Sequence, residues 1–118
     1  MEMKDIMAQK NFVVVGDTLN EKKYANMIKV GLLDKGYNVW SVGKELKSIN
    51  DVDGEIDILD LCINPPKGLE LLKENKKKCK CVVIQPGAES DEIFAYLEDN
   101  KIPYIEGCLL VGLSVYAK

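Results

Sequence analysis

The chain of 118 residues contains no histidine and no arginine. Without imidazole there is no Ser-His or Cys-His catalysis, no histidine metal site and no side chain that ordinarily titrates near neutral pH. Without guanidinium there is no bidentate fork for phosphate or carboxylate, so all sixteen positive charges are lysine point charges. The formal charge of -3 lacks the basic excess of a general nucleic-acid binder. No apolar run approaches a membrane span, and the opening MEMKDIMAQKN alternates too quickly for a signal-peptide core, which points to a cytoplasmic protein with no membrane partner. The four cysteines, Cys62, Cys79, Cys81 and Cys108, include no C-x-x-C pair and read as reduced structural thiols. Cys79 and Cys81 would share one face of a strand and could hold a soft metal in principle. They have no further ligands, so no metal site is expected.

What is present is 47% hydrophobic residues, enough for one domain with a real core. The chain is organised around Asn11 to Gly36: a buried strand (Phe12 to Val15), a glycine turn at Gly16, a polar loop, and a helix that stops at Gly36. Tyr24, Met27, Ile28, Gly31 and Leu32 form the apolar face of that helix, and Asn20 is its expected N-cap. A strand end beside a helix amino end attracts phosphate oxygens, so the spacing points to a nucleotide-like ligand. Gly16-Asp17-Thr18-Leu19-Asn20-Glu21 supplies one of the three glycines of the dinucleotide fingerprint. Thr18 can offer a hydroxyl and Lys22 or Lys23 an ammonium. Asp17 repels an anion unless it caps the helix or binds a ribose hydroxyl. An ordinary connection with solvated lysines explains the same residues.

Tyr37 to Val42 alternates into a second strand, parallel to the first because a helix joins them. Where a dehydrogenase has an acidic residue for the ribose diol, this chain has Val42, Gly43 and Lys44, followed by Glu45. An ammonium there suits a ribose phosphate better than a free diol. Lys47 to Glu55 is polar, with room for one short strand or turn. Ile56 to Ile63 reads as a central strand on which Asp57 and Asp60 fall on opposite faces, as edge or hydrogen-bonded residues rather than a catalytic pair.

Asn64, Pro65 and Pro66 then read either as a stiff loop with flat apolar surface for an adenine ring or as the start of a helix from about Lys67 to Lys77. The lysines from Lys76 to Lys78, with Lys80, read as a solvated cap at that helix's end. A fourth strand, Lys80 to Ile84, opens into Gln85-Pro86-Gly87-Ala88-Glu89-Ser90 and a helix from Asp91 to Asn100. Tyr104 and Ile105 give a short fifth strand. The tail from Leu109 to Tyr116 suits an edge strand, an interface or core packing, so a homodimer or a protein partner is open. The expected fold is α/β: a Rossmann-like, doubly wound, mostly parallel five-stranded sheet with helices on both faces, its loops gathered at the carboxyl edge.

These residues resemble the small stand-alone CoA-binding proteins, whose fold is also found in the CoA-binding domain of the succinyl-CoA synthetase α subunit. The matching features are the glycine-ended first strand, Glu21-Lys22-Lys23-Tyr24, the Lys-Gly-Tyr-Asn-Val entry to the second strand, Pro65-Pro66, the Gln85 to Ser90 block and Glu106-Gly107-Cys108-Leu109. The resemblance implies CoA or acyl-CoA as cofactor, with its phosphates against Gly16, Asp17, Thr18 and the helix opening at Lys22, Lys23 and Tyr24. It implies Val42, Gly43 and Lys44 beside the phosphorylated ribose, and Asn64, Pro65 and Pro66 beside the adenine. Gln85, Gly87, Ala88 and Glu89 complete the expected contacts. A binding module without chemistry of its own is the resulting expectation. The alternatives are an NAD(P)-binding regulatory module and a small acyl-CoA enzyme using Gln85, Glu89 or Cys108.

Overall fold

The structure, a computed structural model, describes residues 1–117. Five strands, β1 (Asn11–Gly16), β2 (Asn38–Gly43), β3 (Ile58–Cys62), β4 (Cys81–Ile84) and β5 (Tyr104–Glu106), form one sheet in the order β2-β1-β3-β4-β5. Every pairing between these strands is parallel. Parallel sheets are buried on both faces, and the chain fits that demand: Val13, Val15, Leu59, Leu61, Val82 and Ile84 belong to one core, while Phe12, Val14, Ile58, Cys81 and Val83 belong to the other. On the first face lie α3 (Pro65–Glu74) and α4 (Asp91–Asp99), through Leu71, Leu72, Ile93 and Leu97. On the second lie α1 (Met3–Met7), α2 (Tyr24–Asp34) and α5 (Leu109–Tyr116), through Ile6, Met7, Ile28, Leu32, Leu109 and Leu113.

Several boundaries depart from the sequence reading. The segment from Leu109 to Tyr116 is helix and not an edge strand. Leu109, Gly112 and Leu113 turn inward at helical spacing, and three leucines in the octet favour helix. Helix α2 starts at Tyr24, with Lys23 in the N-cap position. Asn20 instead accepts the Lys22 amide within a turn (3.0 Å). Both prolines fall in the first turn of α3, where a missing N–H costs nothing, so they are helix starters and not a loop. That helix ends at Glu74, ahead of the lysine run. Lys77 is no solvated cap: its ammonium donates to the carbonyls of Val52 and Gly54. The polar stretch before β3 holds a single 3-10 turn, Ile49–Asp51. Cys79 precedes β4, so Cys79 and Cys81 are not a strand pair.

Asp57 is tied as expected, accepting the Asn11 and Lys10 amides at 2.9 and 3.2 Å and lying 3.3 Å from the Lys80 ammonium. Burial pushes its carboxyl up, and these donors outweigh burial to leave it below the usual value. Asp60 corrects the reading. It stands at the centre of the sheet between Val14 and Val83, fully buried, and neither oxygen has a hydrogen-bond partner among the described residues. Burial pushes that carboxyl well above the usual range.

Candidate functional site

The strand order places β2 and β3 on opposite sides of β1, so the chain reverses its winding direction between β1 and β3. Ligands of open α/β sheets bind at the carboxyl ends of the strands at that point. Here a groove of about 560 Å³ opens there, within the range of roughly 300–1,000 Å³ usual for small-molecule sites. Its floor is made by the ends of the strands. Gly16 and Gly43 stand side by side in register, and a Cβ on Gly16 would sit 2.3 Å from the Cys62 carbonyl oxygen. The strand ends close up only because both positions are glycine, and a ligand can therefore approach bare backbone.

One wall is the amino end of α2. This helix has no side-chain cap at Lys23, in contrast to α3 and α4, whose first turns are capped by Asn64 (to the Lys67 amide, 3.0 Å) and Ser90 (to the Ile93 amide, 3.1 Å). Its first-turn N–H groups therefore lack a side-chain acceptor, and Tyr24 and Ala25 line the groove. The opposite wall is Ile63, Asn64 and Lys67 after β3, with Gln85, Pro86, Gly87 and Ala88 after β4. The ammonium side chains of Lys23, Lys44 and Lys67 line the groove with one carboxylate, Asp17, and the Lys67 ammonium also lies 3.3 Å from the Glu70 carboxylate. Asp17 accepts the Leu19 amide at 3.3 Å, which makes it a brace of its own loop.

Of the residues read from the sequence, the groove brings together Gly16, Asp17, Lys23, Tyr24, Gly43, Lys44, Asn64, Gln85, Gly87 and Ala88. Thr18, Lys22, Val42, Pro65, Pro66 and Glu89 do not line it. Thr18 is buried and donates its hydroxyl to Glu45 at 2.6 Å, so that hydroxyl faces a carboxylate and not a phosphate site. Val42 is buried in the core, and Pro65 and Pro66 serve as the first turn of α3. Glu89 turns back to accept the Gly87 amide with both oxygens at 3.1 Å. The groove also recruits Ala25, Cys62, Ile63, Lys67 and Pro86, which the sequence reading left out. Lys67 was within reach of that reading: with Asn64 as cap and two prolines behind it, Lys67 is the third helical residue, and helical side chains lean toward the amino end.

The chemistry at the floor is subdued. Burial pushes the Cys62 thiol up to about 12, and the neighbouring Asp60 and Cys108 add to this, so it is not a ready thiolate. Gln85 is almost fully buried: its amide oxygen accepts the Leu109 amide at 2.8 Å, and its nitrogen donates to the Cys108 sulfur at 3.4 Å. No helix in the described residues is long and apolar enough to cross a membrane, and no group of three or more acidic or cysteine ligands is gathered for a metal.

A family model described as "CoA binding domain" matches residues 10–114. No curated protein matches the chain. Among solved structures, a conserved hypothetical protein from Pyrococcus furiosus is similar at 32% identity and a TM-score of 0.79, over 87% of this chain and 98% of that one. A hypothetical protein from Pyrococcus horikoshii OT3 is similar in fold, with 21% identity, a TM-score of 0.86, and coverage of 95% of this chain and 87% of that one. A protein from Thermus thermophilus gives 20% identity and a TM-score of 0.78 over 97% and 98% of the two chains.

Proposed function

The chain belongs to the CoA binding domain family, and from that membership we propose that it binds CoA or an acyl-CoA in the groove at the carboxyl edge of the sheet, as a binding module without catalysis of its own. The observation that carries the reading is the convergence of Lys23, Lys44 and Lys67 on a groove floored by glycine backbone and walled by the uncapped start of α2. Open amides at a helix start suit a pyrophosphate, and the ammonium groups suit a polyanion. Ile63, Pro86 and Ala88 offer apolar surface for a base. Lys44, following Gly43, suits the phosphate on the ribose.

Support for binding over turnover comes from how the reactive groups are used. Gln85 holds the start of α5, Glu89 holds Gly87, and the Cys62 thiol is pushed far from ionisation. An NAD-type reading calls for a free carboxylate after β2. Glu45, two residues after Gly43, is occupied by Lys29 and Thr18.

Calorimetric titration with CoA, dephospho-CoA, NAD and NADP tests the reading. CoA is expected to bind tightest, with dephospho-CoA weaker by the loss of one phosphate contact. Binding of NAD in preference to CoA, or no heat with any of the four, would overturn it.

A further inference from the structure

Cys62, half-buried at the carboxyl end of β3, is the cysteine that lines the groove. Cys79 and Cys81 lie at the opposite edge of the sheet, and the Cys108 sulfur already accepts the Gln85 amide at 3.4 Å. Strand parity gives the groove two sides. Ile63 and Ala88 belong to the face covered by α3 and α4, while Cys62 belongs to the face covered by α2 and α5, as does Ala25 at the start of α2. A CoA whose pyrophosphate sits at the start of α2 has apolar surface for its base on the first side. Its sulfur-bearing arm then has the second side, beside Cys62.

Beneath Cys62 lies the one buried side chain of the described residues whose polar atoms have no partner. Asp60, two residues earlier on the same face of β3, is fully buried with both oxygens unbonded. A buried polar group left in that state calls for a use. The two positions are roughly 6–7 Å apart along the strand, a gap that one bridging water or a turn of the Cys62 side chain closes. They already sense each other, since the Asp60 charge adds to burial in pushing the Cys62 thiol up. A desolvated carboxylate is a stronger proton acceptor than a solvated one. The burial that keeps Cys62 protonated at rest thus also equips its neighbour to take that proton.

Resting on the CoA reading of the groove, we propose that Cys62 captures the symmetrical disulfide of CoA as a mixed disulfide, with Asp60 as the proton acceptor. The Cys62 sulfur attacks one sulfur of the bound disulfide, a new S–S bond forms as the old one breaks, and the second CoA leaves as a thiolate. The Cys62 proton passes to Asp60 and from there to the departing thiolate. One disulfide is exchanged for another, so no further oxidant enters, and each chain reacts once.

Intact-mass spectrometry of the full chain after incubation with CoA disulfide, beside calorimetric titration with reduced CoA, tests the proposal. One CoA moiety per chain is expected, removed by dithiothreitol and mapped to the Cys62 peptide. Because the groove holds the reagent beside the thiol, the adduct should form at least about ten-fold faster than that from glutathione disulfide. Cys62→Ser is expected to lose the adduct and Cys79→Ser to keep it. Asp60→Asn is expected to slow its formation about a hundred-fold at pH 7, the gap closing as alkaline pH ionises the thiol directly. Binding of reduced CoA with no adduct overturns the capture and leaves the CoA reading standing; no binding of either form overturns both. An adduct on another cysteine, or equal rates with the two disulfides, also overturns the capture. A wild-type rate in Asp60→Asn overturns the part given to Asp60.

Discussion

The Thr18 hydroxyl donates to the Glu45 carboxylate at 2.6 Å, and the same oxygen receives the Lys29 ammonium at 2.7 Å. The loops that follow β1 and β2 are thereby latched to one another and to α2. The hydrogen bond from Lys29, followed by that from Thr18, holds Glu45 below the usual glutamate range. A carboxylate whose folded value is lowered adds stability above its unfolded value and loses it as pH falls through the folded one. Glu45→Ala is therefore expected to cost about 1 kcal/mol at neutral pH, the value of a charged hydrogen bond discounted for partial exposure. Urea unfolding should show the difference from wild type shrinking at a pH below about 4.

Charge at the groove should be legible in affinity. Lys67→Gln is expected to weaken CoA binding roughly five-fold, about 1 kcal/mol, and Asp17→Asn to tighten it by a similar factor. Both effects should diminish as salt rises from about 50 to 500 mM, because the screening length falls below the spacing of the groups. Calorimetric titrations at the two salt concentrations provide the check. A salt-independent loss in Lys67→Gln would mean that the lysine acts through α3 and not through its charge.

How much of this was legible in the sequence depended on how local each cause was. The strands were, because runs such as Phe12 to Val15 and Cys81 to Ile84 are apolar and bounded by turn residues, and connecting helices impose parallel pairing. The groove's place followed from Gly16 and the loops after each strand. Helix α5 was not legible: an octet with almost no polar residue has no period to read. The role of Thr18 was hidden because its partner is Glu45, 27 residues away, and local chemistry alone left its hydroxyl free for a phosphate. Asp60 was misread because nothing in IDILDLCI says that a carboxyl will be left without a donor.

The packing of strand ends sets a strict limit on side-chain size. Gly16→Ala would place a methyl 2.3 Å from the Cys62 carbonyl and 2.9 Å from the Ala25 Cβ, both on regular elements that cannot easily retreat. A loss of about 1–3 kcal/mol or more is expected, with CoA affinity reduced as the floor spreads. Gly43→Ala meets the Gly16 oxygen at 2.8 Å at a φ of +128°, which adds backbone strain. Thermal unfolding of the two variants, with and without CoA, gives both readouts.

Asp60 is a destabilising group at neutral pH. Its folded value is raised, so the pH-dependent part of the cost is absent below the unfolded aspartate value of about 3.9 and grows as pH rises toward the folded one. Replacing it by valine, which suits a central strand, is expected to stabilise the chain by at least about 1–3 kcal/mol at pH 7, the usual penalty of an unpaired buried polar group. Urea unfolding at about pH 3 should show a smaller gain. An equal gain at both pH values would mean that Asp60 does not titrate differently in the folded chain.

Gln85 has one amide serving two neighbourhoods: it lines the groove, and it grips the first turn of α5 through Leu109 and Cys108. A protease that clipped the carboxyl-terminal helix would thus also remove the anchor of the groove's far wall.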